Sequence, residues 1–275
     1  MALQARSHKP RILAIVQARV GSSRLPGKVL LDIDGKTMLE RVVGRTRGSK
    51  WIDEVIVATT VELADDEIES LCAARGYPCY RGSSSDVLDR YYQAARLFRA
   101  DVIVRITADC PVIDPGVIDQ TIEAFFDNPV PDKNSGPDAP TNRYPWDFAA
   151  NRLPPPWKRT FPIGLDTEVC TFEALERAWK EAGEPHQREH VMPYLYEQEG
   201  RFRVLQIDHD PDYGALRWTV DTAEDLELVR RIYTHFGGRE DFSWKEVLAL
   251  LEEHPELREI NAGVRHKSVR DVDSR

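Results

Sequence analysis

Ile12-Leu-Ala-Ile-Val-Gln-Ala-Arg-Val-Gly-Ser-Ser-Arg-Leu-Pro-Gly-Lys28 is a short apolar run followed at once by a loop of glycines, serines and cations. The run Ile12 to Val16 has the unbroken apolar character of a strand buried on both faces, which predicts a parallel strand opening an α/β domain. Open α/β sheets bind their ligands in the loops at the carboxyl ends of such strands. The loop offers backbone N–H groups, the hydroxyls of Ser22 and Ser23, and the fixed charges of Arg19, Arg24 and Lys28, which together suit a polyphosphate. It is not a Walker A loop, because five residues separate Gly21 from Gly27 and Val29 stands where a magnesium-binding hydroxyl would be. Nor does a Gly-x-Gly-x-x-Gly follow the first strand, which disfavours a dinucleotide-dependent dehydrogenase.

Outward from this stretch, strands and helices alternate at the intervals of βαβ units. Helices are expected over Thr37 to Arg47, Asp65 to Arg75, Val87 to Phe98 and Pro115 to Phe126, and strands over Glu54 to Thr59, Gly76 to Arg81 and Asp101 to Thr107. Asp65-Asp66 is placed to cap the second helix. Between Asn128 and Pro162 the pattern collapses, with eight prolines from Pro129 to Pro156. So long a stretch without elements predicts an inserted arm or lid. Beyond it come helices at Phe172 to Lys180, Glu189 to Glu197, Thr222 to Phe236 and Trp244 to Glu253, with a strand at Phe202 to Ile207. These are too few for an independent core. The expected organisation is a flexible extension over 1–10, one α/β domain over 11–262 with its insert at about 128–162, and a polar tail over 263–275.

Composition narrows the function. The 275 residues carry a net charge of −9 and a pI near 5.4, which argues against a protein that coats nucleic acid. Cys72, Cys79, Cys110 and Cys170 form no CxxC pair and read as reduced thiols of a cytoplasmic protein. No apolar run reaches the ~20 residues of a membrane span, and the first residues do not form a secretory signal.

Two carboxylates stand where a polyphosphate site would need a metal ligand. Asp109, in Thr107-Ala-Asp-Cys-Pro111, follows a buried strand and precedes a proline that stops it; it reads as a magnesium ligand or an Asx-turn. Asp221, after the β-prone Leu216-Arg-Trp-Thr-Val, reads as a second ligand or a helix cap. Asp225 is placed to stabilise the dipole of the following helix. Asp166 and Glu168 alternate along an expected strand, Leu165 to Val169, and so share one face. His186 and His190, four apart, have zinc-like spacing but no third ligand nearby. Trp218 reads as core.

Taken together, QARVGSSRLPGK, DIDGKTMLERV, IVATT, RGSSSDVLDRYYQAA, VRITADCP, RTFPIGLDTEV, REHVMPYLY and LRWTVDTAEDL resemble the SpsF-type cytidylyltransferases, relatives of the CMP-sialic acid and CMP-Kdo synthetases. The resemblance runs from about Ile12 to about Asn261 in unbroken motif order. It implies a three-layer, mainly parallel nucleotide-binding sheet like that of the nucleotide-diphospho-sugar transferases. The implied reaction joins CTP to a small acceptor and releases pyrophosphate, with Mg²⁺ as cofactor, in surface polysaccharide (spore coat) or glycan biosynthesis. Carried over by position, Ala18, Arg19, Gly21, Ser22, Arg24 and Lys28 match the nucleotide-binding loop, with Lys28, Arg24 and Asp109 as the catalytic candidates. Asp109 and Asp221 match the metal-binding aspartates. Ser83, Asp86 and Arg90 match the nucleoside-contacting segment, where Asp86 also reads as a helix cap. Arg159, Asp166, Glu168, His190 and Arg217 are the acceptor-binding candidates.

The chain departs from the pattern at Thr219, where some sialic acid enzymes have a further aspartate, and at Arg105-Ile-Thr107, where Kdo enzymes have Asn and Gln. The acceptor stays open between an acidic sugar, an amino-acid derivative and a phosphonate. A GT-A glycosyltransferase is the alternative class, but none of the four Asp-x-Asp matches follows the central strand where its metal motif belongs. Relatives pair at the sheet edge, so a homodimer is expected, without nucleic-acid or membrane partners.

Overall fold

The computed structural model describes residues 9–127, 144–154 and 158–265. The chain runs β1 (Ile12–Gln17), β2 (Asp32–Ile33), β3 (Lys36–Thr37), α1 (Met38–Thr46), β4 (Glu54–Thr60), α2 (Asp66–Arg75), β5 (Cys79–Gly82), α3 (Val87–Leu97), β6 (Val102–Thr107) and α4 (Pro115–Asp127). It continues with β7 (Phe148–Ala150), β8 (Glu168–Thr171), α5 (Phe172–Glu181), α6 (Pro185–His190), α7 (Pro193–Tyr196), β9 (Val204–Gln206), α8 (Ala223–His235), α9 (Trp244–Glu253) and α10 (Glu256–Glu259). Seven strands form one sheet in the order β5-β4-β1-β6-β8-β7-β9, while β2 and β3 make a small separate hairpin. The sheet is mainly parallel, and β8 alone runs against its neighbours β6 and β7.

The opening run lies at the centre of the parallel part of the sheet, with β1 paired directly to β4 on one side and β6 on the other. Its side chains alternate between two cores. Ile12, Ala14 and Val16 face the helices on one side, and Leu13 and Ile15 pack on the other. All five are almost completely buried, which is why the sequence there shows no polar alternation.

The expected insert needs correcting. Within 128–162, Phe148–Ala150 is a strand of the main sheet, hydrogen-bonded between β8 and β9. Three residues are too few to display a period of two, and the prolines on either side hide them. The remainder of that expectation, 128–143 and 155–157, lies outside the described residues. The strand expected over Leu165 to Val169 begins later, at Glu168. The helix expected from Glu189 to Glu197 is two short helices: Val191 leaves helical space at φ 71°, and Pro193 starts α7 at its first turn. Leu216 to Val220 is extended but not a strand, touching its neighbour through a single bridge between Ile163 and Arg217.

The C-terminal elements are clamped to the first half by two buried arginines of α1. Arg45 donates to the carbonyls of Ile113 at 2.6 Å, Glu240 at 2.7 Å and Phe242 at 2.9 Å. Arg41 donates to Ile33 O at 3.0 Å and Gly238 O at 2.7 Å. Their guanidinium planes lie over the rings of Phe242 and Tyr233. Arg45→Ala strands the buried carbonyls of Ile113 and Phe242 and opens a cavity, so a loss of about 3 kcal/mol or more in urea unfolding is expected.

Candidate active site

The loop after β1 is shaped by its own backbone. Gly27 adopts φ 69°, a left-handed conformation open to glycine, and begins a single turn of 3-10 helix over Lys28–Leu30. Its N–H closes the loop onto Val20 O at 3.0 Å. Val20 N–H in turn donates at 2.7 Å to Asp65, which also accepts from the Thr60 hydroxyl of β4. Asp65 stands at the start of α2 as expected, yet its side chain makes no cap there; it anchors the loop to the sheet instead. Arg19, Gly21, Ser22, Ser23 and Arg24 consequently line one side of an open cleft of about 300 Å³ at the carboxyl end of the parallel strands.

Lys28 points to the floor of this cleft. Its Nζ donates to Asp109 Oδ2 at 2.9 Å, Asp221 Oδ1 at 2.9 Å and Val220 O at 2.8 Å. The two aspartates lie far apart in sequence and are joined by backbone: Val220 N–H donates to Asp109 O at 2.8 Å, and the Thr219 hydroxyl reaches the same oxygen at 3.1 Å. The second oxygen of Asp221 receives Arg24 and Arg217, each at 2.8 Å. Burial alone would lower the Lys28 pKa, but Asp109 and Asp221 outweigh it and hold the ammonium above its ordinary value. Burial would likewise raise Asp221, yet Lys28, Arg217 and Arg24 keep its carboxyl far below the usual range. Behind Asp109, the buried Cys110 thiol sits 3.6 Å from Oδ1, and burial pushes its pKa up.

Asp225 has a larger part than a helix dipole requires. It is fully buried, accepts both Arg217 Nε and Nη2 at 2.9 Å, and takes the backbone N–H groups of Asp221 and Thr222. Asn261 Nδ2 joins it at 2.9 Å. Asp221 is thus held from behind by a charged network that packing keeps in place.

The far half of the cleft is built differently. Arg105 of β6 and Glu168 of β8 are register partners and form a buried ion pair on its floor. Asp166 is forked by Arg159, whose second contact is 3.0 Å. Arg152, Glu189, His190 and Tyr196 complete the wall. His186 is turned away and contacts Glu197 at 2.6 Å.

Of the residues singled out in the sequence, Arg19, Gly21, Ser22, Arg24, Lys28, Asp109, Asp166, Glu168, His190 and Asp221 converge on the cleft. Six do not line it. Ala18 is buried and donates its N–H to Ala58 O. Ser83 accepts from Asp86 N–H, and Asp86 caps α3 while pairing with Arg188 of α6. Arg90 is buried on α3. Arg159 and Arg217 stand behind Asp166 and Asp221, so they orient carboxylates rather than face the cavity. Sequence reasoning missed Arg152, Glu189 and Tyr196 as wall residues. Arg105 carried a signal of its own, as a lone charge inside the β-prone run Val102 to Thr107. Arg152 lies among prolines and carried none.

A phosphate-suited loop facing two aspartates at the end of a parallel α/β sheet defines a nucleotidyltransferase. The cytidylyltransferase family model matches residues 13–244. The chain belongs to the cytidylyltransferase family and is of the SpsF type. It is 32% identical over 252 residues to the spore coat polysaccharide biosynthesis protein SpsF of Bacillus subtilis, covering 89% of this chain and 95% of that protein. A solved cytidylyltransferase of Leptospira borgpetersenii superposes with a TM-score of 0.80 at 31% identity, covering 94% of this chain and all of that one. CMP:2-keto-3-deoxy-manno-octonic acid synthetase, solved with CTP, shares the fold at a TM-score of 0.58 and 20% identity, covering 82% of this chain and 99% of that one. The protein is therefore a CTP-dependent nucleotidyltransferase, and the glycosyltransferase alternative gives way. Among the described residues no helix is long and apolar enough to cross a membrane.

The buried pair on the cleft floor gives a prediction that separates structure from chemistry. Glu168→Ala leaves the Arg105 guanidinium buried without its anion, and an unfolding free energy lower by about 3–5 kcal/mol is expected. Unchanged stability in urea titration would mean that the ion pair makes no net contribution to folding.

Proposed function

We propose that this protein transfers CMP from CTP to an acidic sugar or a related small acceptor, with release of pyrophosphate, in the cytosolic biosynthesis of a surface polysaccharide or glycan. The observation that carries this reading is the convergence of the Gly21–Lys28 loop and the Asp109/Asp221 pair on one point of the cleft, with Lys28 touching both aspartates.

Nucleotidyl transfer is in-line attack on the α-phosphorus, and a protein accelerates it chiefly by positioning and charge neutralisation. Arg19, Ser22 and Arg24 are placed to hold the triphosphate along the loop. Lys28 and Arg24 stabilise the charge that grows on the departing pyrophosphate. Asp109, Asp221 and the Val220 carbonyl converge on a single cation, here the lysine's own ammonium. Among the described residues no three His, Cys, Asp or Glu side chains gather as a metal site. Two carboxylates nevertheless fit Mg²⁺, which commonly binds through one or two carboxylates and completes its shell with water and substrate phosphate. Bound there, Mg²⁺ would polarise the α-phosphate and orient the acceptor hydroxyl.

On the acceptor side, Arg152 and His190 supply the groups suited to a carboxylate or phosphate, and Asp166 and Glu168, each held by an arginine, supply rigid acceptors for hydroxyls. The carboxylates on this wall equally suit an amino-acid derivative, which belongs in the same screen as a phosphonate. The protein acts as a homodimer in this reading, and a monomer mass in light scattering overturns that part.

Pyrophosphate release is the decisive assay, with CTP and the other nucleoside triphosphates offered against a panel of acidic sugars. CTP with one acidic sugar should give turnover. Lys28→Ala should reduce it on the order of 10²–10³-fold while circular dichroism stays unchanged. Release at near the normal rate by that variant removes Lys28 from the chemistry.

A further inference from the structure

The contacts of Lys28 bear on the order in which the cleft fills. Its ammonium is 2.8–2.9 Å from three oxygens, one on Asp109, one on Asp221 and the carbonyl of Val220, so all three of its protons are engaged. The other oxygen of Asp221 holds Arg24 and Arg217. A divalent cation seated between Asp109 Oδ2 and Asp221 Oδ1 would have to occupy the place the ammonium fills, because the ammonium already lies within contact distance of both oxygens and would repel it.

The three cations around Asp221 differ in freedom. Arg217 is forked on the fully buried Asp225, which Asn261 and the first turn of α8 hold in turn. Arg24 sits on the loop with 29% of its side chain exposed, and Lys28 reaches in on a four-carbon stem. Both mobile cations line the wall along which the phosphates would lie. Setting aside the Arg217–Asp225 pair, two mobile cations balance two carboxylates. A triphosphate that draws these two cations away therefore leaves two carboxylates for one divalent cation, charge for charge.

We propose that Lys28 closes the acidic pair in the nucleotide-free protein and releases it only when a triphosphate draws the ammonium and Arg24 away, so that nucleotide binding creates the divalent-cation site. The inference rests on the reading that this cleft binds CTP with a cation on Asp109 and Asp221. It adds an order, nucleotide before cation, enforced by an internal cation.

Mn²⁺ binding followed by electron paramagnetic resonance tests it, without nucleotide, on the wild type and on Lys28→Met, with Lys28→Gln as a second uncharged variant and thermal melts as the check on folding. Both variants should bind Mn²⁺ at least about tenfold more tightly than the wild type. Calorimetry should also show CTP binding to the wild type in EDTA. Equal Mn²⁺ affinity in all three proteins overturns the inference, as does a failure of the folded variants to gain binding, and so does CTP binding that vanishes in EDTA. The function itself falls on a different result: no Mn²⁺ bound by the wild type even with CTP, and no pyrophosphate released with any acceptor.

Discussion

The cage around the Lys28 ammonium is the interaction on which the rest of the cleft depends. It ties three parts of the chain together: the loop after β1, the turn after β6 and the segment that leads into α8. Each part carries charge that would be costly to leave alone in a half-buried setting. Lys28 has only 11% of its side chain exposed, and its two aspartates keep it charged against the cost of burial. The backbone brings the aspartates together, and the cation between them offsets their mutual repulsion. Mutual neutralisation thus builds a site in which strong charges sit ready for a substrate rich in charge.

Support for that cage comes from further away. Arg217 and Asp225 hold Asp221 from behind, and Asn261 reaches back from beyond α10 to hold both. The clamp of Arg41 and Arg45 brings the C-terminal elements against α1, which lets the segment bearing Asp221 meet the loop bearing Lys28. The buried arginines of this molecule are therefore mostly architectural, while those of the loop face the cleft. Burial separates the two groups: Arg41 and Arg45 are 1% exposed, whereas Arg24 is open enough to meet a ligand.

The acceptor half follows another principle. Two of its arginines are paired with carboxylates within the protein, Arg105 with Glu168 and Arg159 with Asp166. Such pairs fix geometry at a cost in desolvation and present a patterned surface of low net charge. In the proposed function, an acceptor is recognised there by the placement of its groups more than by bulk attraction. The antiparallel strand β8 makes this possible, because its register sets Glu168 directly beside Arg105.

The sequence alone determined the α/β class, the loop of residues 18–28, the two aspartates and the family. These are written locally, in a strand's apolar run, in turn residues and in motifs whose order survives along the chain. Local signals also placed the N-cap at Asp86, but α8 is capped by Thr222 rather than by the Asp221 that the sequence offered. Only the tertiary structure decided that Phe148–Ala150 is a strand, that Asp65 anchors a loop, that Arg217 and Arg159 stand behind carboxylates, and that Lys28 fills the space between Asp109 and Asp221. Those facts depend on contacts between residues up to 193 positions apart. No periodicity or spacing records such a distance, because it is fixed by the way the helices and the sheet pack. What each charged side chain does here is set by its neighbours in space, and the sequence lists only its neighbours along the chain.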